Sequence, residues 1–309
     1  MSLTHRSVLV AGGTGFIGSR LCERLVREGC SVTVLTRVSR NSEGPRRYVT
    51  WAPDDTTTAA SLLARDLEGV SAVINLAGEP VVSGRWGDEV KRRILMSRLN
   101  TTRAIVSAIA MAGKKPAVLV NASAVGYYGA RVDRPVGEDA PPGADFLAGV
   151  CRQWEEEAVK AQFCGVRVVC VRIGMVLEAD GGALEKMLPP FKLGLGGPLG
   201  SGEQWMSWIH AEDLTELLLR LSDDPSAIGS INGTAPEPVT NEEFSRTLAR
   251  VLGRPCLFRV PAFVLRLVLG EMSTMLLDGQ NAPPKAPRAM GFRFRYPRLE
   301  PALRHLLGR

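Results

Sequence analysis

Through the first 180 residues, short and strongly apolar runs alternate with longer stretches in which apolar and polar positions interleave. The runs at 8–11, 31–36, 70–76, 117–121 and 167–173 are rich in Val and Ile and show little alternation, the mark of strands covered on both faces. Between the first two, Ile17, Leu21, Leu25 and Val26 repeat at helical spacing and fall on one face, and Gly29 supplies a stop. This is a complete βαβ unit. Its continued repetition predicts the α/β class, with a Rossmann-type doubly wound parallel sheet.

The pattern loosens in the second half. A Pro- and Gly-rich stretch at 188–202 predicts a long surface loop of the kind that covers a ligand. Trp208-Ile209-His210 then leads into a helix at about 213–221, and Thr240-Asn241-Glu242-Glu243 forms a capping box for a helix ending near Gly253, with Pro255 beyond it. Two further helices are predicted at 262–269 and 299–307. The expected organisation is a dinucleotide-binding Rossmann domain over 1–235, with 177–207 projecting to the substrate side. A small, mainly helical lobe follows at 236–309.

With 309 residues, 45% of them hydrophobic and 23% charged, the chain has the composition of an ordinary globular protein. Its six cysteines, at 22, 30, 151, 164, 170 and 256, show neither zinc-site nor C-x-x-C spacing, so they are expected as reduced thiols with no metal site. Every apolar run is far shorter than a membrane span, and the first strand starts too early for a leader to precede it. The expectation is a cytoplasmic protein with no membrane partner. The net charge of +6 comes entirely from residues 281–309, where seven Lys and Arg face the single Glu300, 7 − 1 = +6. Within that tail Phe292-Arg293-Phe294-Arg295-Tyr296 alternates with period two, so its aromatics can face a core while its arginines face water. A solvated edge is expected, not a nucleic-acid site.

Candidate chemistry starts at Gly12-Gly13-Thr14-Gly15-Phe16-Ile17-Gly18, which follows a predicted strand and opens a predicted helix. Glycines so spaced give a tight turn, let backbone approach a pyrophosphate, and pack the helix closely, while the helix N-terminus offers its N–H groups to the phosphates. About twenty residues on, NAD-binding members of this fold place an acid that accepts from the ribose 2′-hydroxyl. This chain has Thr36-Arg37 there, with Arg40 nearby. A guanidinium grips a 2′-phosphate that an acid would repel, so the predicted cofactor is NADP(H).

Several further motifs join the glycine loop: Asn75-Leu76-Ala77-Gly78-Glu79, Ser97-Arg98 with Thr101-Thr102, residues 123–129, Trp154-Glu155, the glycine run at 194–202, and Trp208-Ile209-His210-Ala211-Glu212-Asp213. Together they resemble the atypical short-chain dehydrogenase/reductases of family 39U, the epimerase family proteins, over nearly the whole chain. The resemblance implies that Thr36 and Arg37 hold the adenosine phosphate and that Leu76, Ala77 and Gly78 line the adenine side. It also implies that Arg98 contacts the cofactor and that Val176 lies near the nicotinamide.

Most short-chain dehydrogenases use a Tyr with Lys four residues later, the ammonium lowering the tyrosine pKa. Here Tyr48, Tyr127, Tyr128 and Tyr296 are followed at that place by Ala52, Arg131, Val132 and Glu300, so the pair is missing. The helix that should carry it reads Phe146-Leu147-Ala148-Gly149-Val150-Cys151. Ser123 matches the catalytic serine, and Tyr127 and Tyr128 follow it. An unassisted phenol ionises only near pH ~10, a poor base but an adequate hydrogen-bond donor. The expected activity is reduction of a small carbonyl substrate, with Ser123 and Tyr127 or Tyr128 donating to the oxyanion. The competing expectation is a non-catalytic NADP(H)-binding regulator. A nucleotide-sugar epimerase ranks behind both, because it would need the missing tyrosine base. His210 is expected to anchor a loop.

Overall fold

The predicted apolar runs form the inner strands of one seven-stranded parallel sheet in the computed structural model, which describes residues 6–42, 44–53, 56–82, 84–130 and 134–309. Its strands are β1 (Ser7–Ala11), β2 (Ser31–Thr36), β3 (Arg46–Thr50), β4 (Ala72–Asn75), β5 (Val118–Ala124) and β6 (Arg167–Ile173). After β7 (Met175–Glu178), β8 (Trp205–Met206) and β9 (Trp208–His210), β10 (Gly229–Gly233) joins at the far edge; β11 (Val239–Thr240) lies outside the sheet. The order is β10-β6-β5-β4-β1-β2-β3, so the crossovers reverse direction between β1 and β4. In such sheets ligands bind outside the carboxyl ends of the strands at that switch.

Both faces are covered, as the unbroken apolar runs require. Val8 and Val10 of β1 face α1 (Phe16–Arg27) and, after α5 (Gly182–Lys192), α6 (Ala211–Asp223), in a core that includes Leu21, Leu25, Leu214 and Leu218. Leu9 and Ala11 face the opposite way, toward α2 (Thr56–Asp66), α3 (Asp88–Met111) and α4 (Phe146–Val159), where Leu63, Ile105 and Ala158 are buried. The C-terminal part adds α7 (Asn241–Leu252), α8 (Ala262–Leu269), α9 (Thr274–Leu277), α10 (Lys285–Ala289) and α11 (Leu299–Leu306). Its core joins Phe244, Leu248 and Leu303 to Leu177, Leu184, Phe191 and Trp208, so residues on both sides of position 235 build one cluster.

Two elements differ from the expectation. Residues 188–192 belong to α5, not to a loop, even though Pro189 and Pro190 lie inside it. Leu184, Leu188 and Phe191 share its inward face and are buried, and the prolines fall in its last turn. The loop therefore starts at Leu193. The second difference is β3, an edge strand whose Arg46-Arg47 start hides it from an apolar-run reading. The tail behaves as read: Phe292 and Phe294 pack against the α1/α6 core and Tyr296 is buried, while Arg293 and Arg295 are exposed, although no strand forms. The Asp213 carboxylate holds that segment by accepting the backbone N–H groups of Arg295 and Tyr296, at 2.7 and 2.9 Å.

Candidate functional site

The glycine loop is shaped by backbone approaching backbone. Gly12 turns with φ +78°, and a Cβ on it would lie 2.8 Å from the Leu76 carbonyl carbon at the end of β4. A Cβ on Gly18 would lie 2.1 Å from the Gly12 oxygen. At its start α1 has neither a side-chain cap nor an acid in the first turn. Its first N–H groups and the positive end of its dipole are thus left for an anionic ligand. Thr14 and Gly15 are exposed, Ile17 is half-buried, and the Phe16 ring lies beneath Gly181 and Gly182, where a Cβ on Gly181 would come within 2.5 Å of it.

At the end of β2, Thr36 is buried and its hydroxyl accepts the Val38 N–H at 3.2 Å, closing a small turn that leaves Arg37 and Arg40 exposed. Among the described residues no carboxylate pairs with either arginine. At the end of β4, buried Asn75 donates to Thr102 Oγ1 (3.0 Å) and Asn121 Oδ1 (2.7 Å) and accepts the Ala77 N–H (3.2 Å), which fixes the path of residues 76–78. Thr102 in turn accepts the indole N–H of Trp154 at 2.9 Å, tying α3 and α4 to that strand end.

Arg98 sits on this frame. Its guanidinium carbon is 5.1 Å from the centre of the Trp154 ring, and a Cβ on Gly78 would approach it to 3.0 Å. Nη1 donates to the Glu79 and Ile94 carbonyls at 3.0 and 2.9 Å, and no carboxylate bridges it among the described residues. Burial lowers its pKa below the usual arginine value. A largely desolvated cation with no carboxylate in direct contact, only the more distant field of Glu79, costs free energy unless a ligand compensates it.

The expected donors are arranged differently. Ser123 is buried and its hydroxyl donates to Glu155 Oε1 at 2.6 Å. Glu155 forms a two-pronged ion pair with Arg172 of β6, both contacts at 2.8 Å. Tyr128 is fully buried, donates to Asn232 Oδ1 at 2.6 Å and accepts from Arg172 at 3.0 Å. The protons of Ser123 and Tyr128, expected at the substrate carbonyl, are therefore both engaged within the protein, that of Ser123 by Glu155 of the buried Arg172–Glu155 pair and that of Tyr128 by Asn232. Tyr127 is half-buried, with the Arg172 guanidinium 3.5 Å from the centre of its ring. Burial raises the pKa of Tyr127 and pushes that of Tyr128 up to about 12, so neither is a base near neutrality. The helix expected to carry the Tyr/Lys pair, α4, has Leu147 and Cys151 in its first turns. Burial, aided by Glu155, pushes the Cys151 thiol up to about 11 and keeps it protonated.

The structure thus groups Gly12 to Gly18, Leu76, Ala77, Gly78 and Arg98 around the β1/β4 switch, with Thr36 and Arg37 at the neighbouring strand end. Val176 lies across in β7, paired with Ile209. His210 caps α6, its Nδ1 accepting the Glu212 N–H at 3.0 Å. The sequence named Glu155 only within the Trp154-Glu155 motif and gave neither it nor Arg172 a role, although Arg172 inside the apolar stretch 168–173 was an available signal.

The chain matches the description "NAD dependent epimerase/dehydratase family" over residues 8–232, and a domain of unknown function, DUF1731, over residues 260–306. It is 44% identical over 308 residues to "Epimerase family protein SDR39U1 homolog, chloroplastic" of Arabidopsis thaliana, covering 98% of this chain and 87% of that protein. It is 39% identical to "Epimerase family protein YfhF" of Bacillus subtilis, covering 97% and 98%. Among solved structures it resembles the human epimerase family protein SDR39U1, isoform 2, crystallised with NADPH. That match has 35% identity, TM-score 0.87, and coverage of 98% of this chain and 99% of that one.

Proposed function

The chain belongs to the NAD dependent epimerase/dehydratase family, and from that premise we propose that it is an NADP(H)-binding oxidoreductase that reduces an activated carbonyl of a small molecule. The observation that carries this reading is Arg98, a desolvated guanidinium with no carboxylate partner at the carboxyl end of β4. The NADPH bound by the human relative has the anionic chemistry such a cation lacks here.

The residues fit that cofactor. Gly12, Gly13, Thr14, Gly15, Phe16, Ile17 and Gly18 follow a tight path that Cβ atoms on Gly12, Gly13 or Gly18 would obstruct by collision within the protein, and the uncapped start of α1 would face the phosphates. Thr36 and Arg37, with Arg40, would hold the 2′-phosphate, Leu76, Ala77 and Gly78 would line the adenine, and Val176 the nicotinamide. When bound, the cofactor supplies a hydride. Arg98 contributes the fixed positive charge that Lys gives in other short-chain dehydrogenases, since this chain lacks the Tyr/Lys pair. Tyr127, half-buried and polarised by Arg172, is the remaining phenol able to donate to a developing oxyanion. Ser123 and Tyr128 would act on it through the Glu155–Arg172 network. Burial keeps Tyr127 protonated, so it can give its proton to the alkoxide that hydride transfer would form, whereas the reverse step needs the scarce phenolate and would be slow near neutrality.

The second reading, a non-catalytic NADP(H)-binding regulator, is favoured by the engaged protons of Ser123 and Tyr128. Two measurements decide. NADPH should bind at least ~10-fold more tightly than NADH, about 1.4 kcal/mol, and Arg37→Asp should remove the preference. Equal binding curves would overturn the cofactor assignment. A screen of activated carbonyls and enones should then reveal slow NADPH oxidation, and tight binding without turnover would leave the regulator.

A further inference from the structure

Helix α8, Ala-Phe-Val-Leu-Arg-Leu-Val-Leu, has no buried residue although seven of its eight side chains are apolar. Phe263 is 69% exposed, Leu267 75% and Val268 60%. The surface continues into the preceding segment through Leu257 (80%) and Phe258 (54%), and from there to Leu195 (58%). These segments touch. The Val260 N–H donates to the Pro198 carbonyl and the Gly200 N–H to the Val260 carbonyl, both at 2.9 Å, and a Cβ on Gly197 would overlap the Phe258 carbonyl oxygen. The exposed apolar side chains therefore stand on adjoining segments. Exposed apolar surface grouped in this way marks an interaction site.

Its charge is one-sided. Residues 186–202 and 254–270 contain no Asp or Glu and contribute Lys186, Lys192, Arg254, Arg259 and Arg266. Arg259 pairs with Glu242 and Arg266 lies in the field of Asp278, whereas Lys192 and Arg254 are exposed without a carboxylate partner among the described residues. A second copy docking through the same face would bring cations onto cations, because a two-fold contact presents the same patch twice. A helix of eight residues is also far too short to cross a bilayer, and no helix of the described residues is long and apolar enough to do so.

We propose that this face lies on an anionic lipid bilayer, with Phe263, Leu267, Val268 and Phe258 entering the headgroup boundary and Lys192, Arg254 and Arg266 meeting lipid phosphates. Apolar insertion and basic attraction together give peripheral binding that neither gives alone. The engagement departs from the sequence expectation of no membrane partner, which rested on the absence of a spanning run.

The test is flotation of the full chain with vesicles of equal parts phosphatidylserine and phosphatidylcholine, against phosphatidylcholine alone, at low and at physiological salt. The bound fraction is expected to be at least ~10-fold higher on the anionic vesicles and to fall with salt. Phe263→Asp with Leu267→Asp should reduce it by ~10-fold or more, and Arg254→Glu with Arg266→Glu should erase the preference for the anionic lipid. All four side chains are exposed, so an unchanged melting temperature serves as the folding control. No binding of the unmodified protein to anionic vesicles at low salt, or binding that survives the aspartate pair, overturns the proposal. So does a dimer that the aspartate pair dissociates, since a second copy would then be the occupant.

Discussion

One buried and one half-buried arginine set opposite terms for their environments. Arg172 is neutralised by Glu155 through two 2.8 Å contacts, and replacing it with Met would leave a buried carboxylate alone, at a cost of about 3–5 kcal/mol. Urea unfolding should register that loss whether or not ligand is present. Arg98 has only neutral acceptors, so Arg98→Met should change stability by no more than ~1 kcal/mol while weakening NADPH at least ~10-fold in a binding titration. Comparable losses of stability for the two variants would mean that Arg98 is structural. The glycine loop and Thr36-Arg37 were legible in the sequence because their geometry is local. The engagement of Ser123 and Tyr128 was not, because it depends on Glu155 and Asn232, 32 and 104 residues away along the chain.

Among the elements, α6 has an unusual start. Its N-cap is His210, whose Nδ1 accepts the Glu212 N–H, so the hydrogen sits on Nε2 and points to His305 Nδ1 of α11 at 3.2 Å. Burial lowers the His210 pKa from 6.5 to about 3, with the His305 charge adding to the effect. Between those two values the unfolded chain binds the extra proton, so stability falls as pH drops below ~6.5 and is unaffected by this group above it. The slope approaches 1.4 kcal/mol per pH unit. His210→Asn keeps a capping side chain without the titration, and urea unfolding at pH 5 and pH 7 should show a smaller difference in that variant. An equal difference would assign the slope to another group. The capping box at Thr240 was readable because it lies within four residues, and both of its hydrogen bonds form. The end of α5 was not readable, since burial of Leu188 and Phe191 in a distant core outweighs the local preference of Pro189 and Pro190.

For the molecule as a whole, the sheet and its helical lobe follow from the alternation of runs, whereas the seam between them does not. Leu177, Leu184, Phe191 and Trp208 precede position 235 yet belong to the same core as Phe244, Leu248 and Leu303. A chain ending at 235 should therefore lack half of that core, bind the dye ANS and lose cooperative unfolding. A sharp, dye-free transition in that fragment would show the Rossmann part to be autonomous. This shared core also bears on how such chains recombine. A lobe exchanged between two relatives at one crossover near 235 would set side chains selected in one background against partners from the other. The set of residues that shares this core is discontinuous, combining 175–210 with 236–309, and chimaeras that keep both segments from one parent are the ones expected to preserve it.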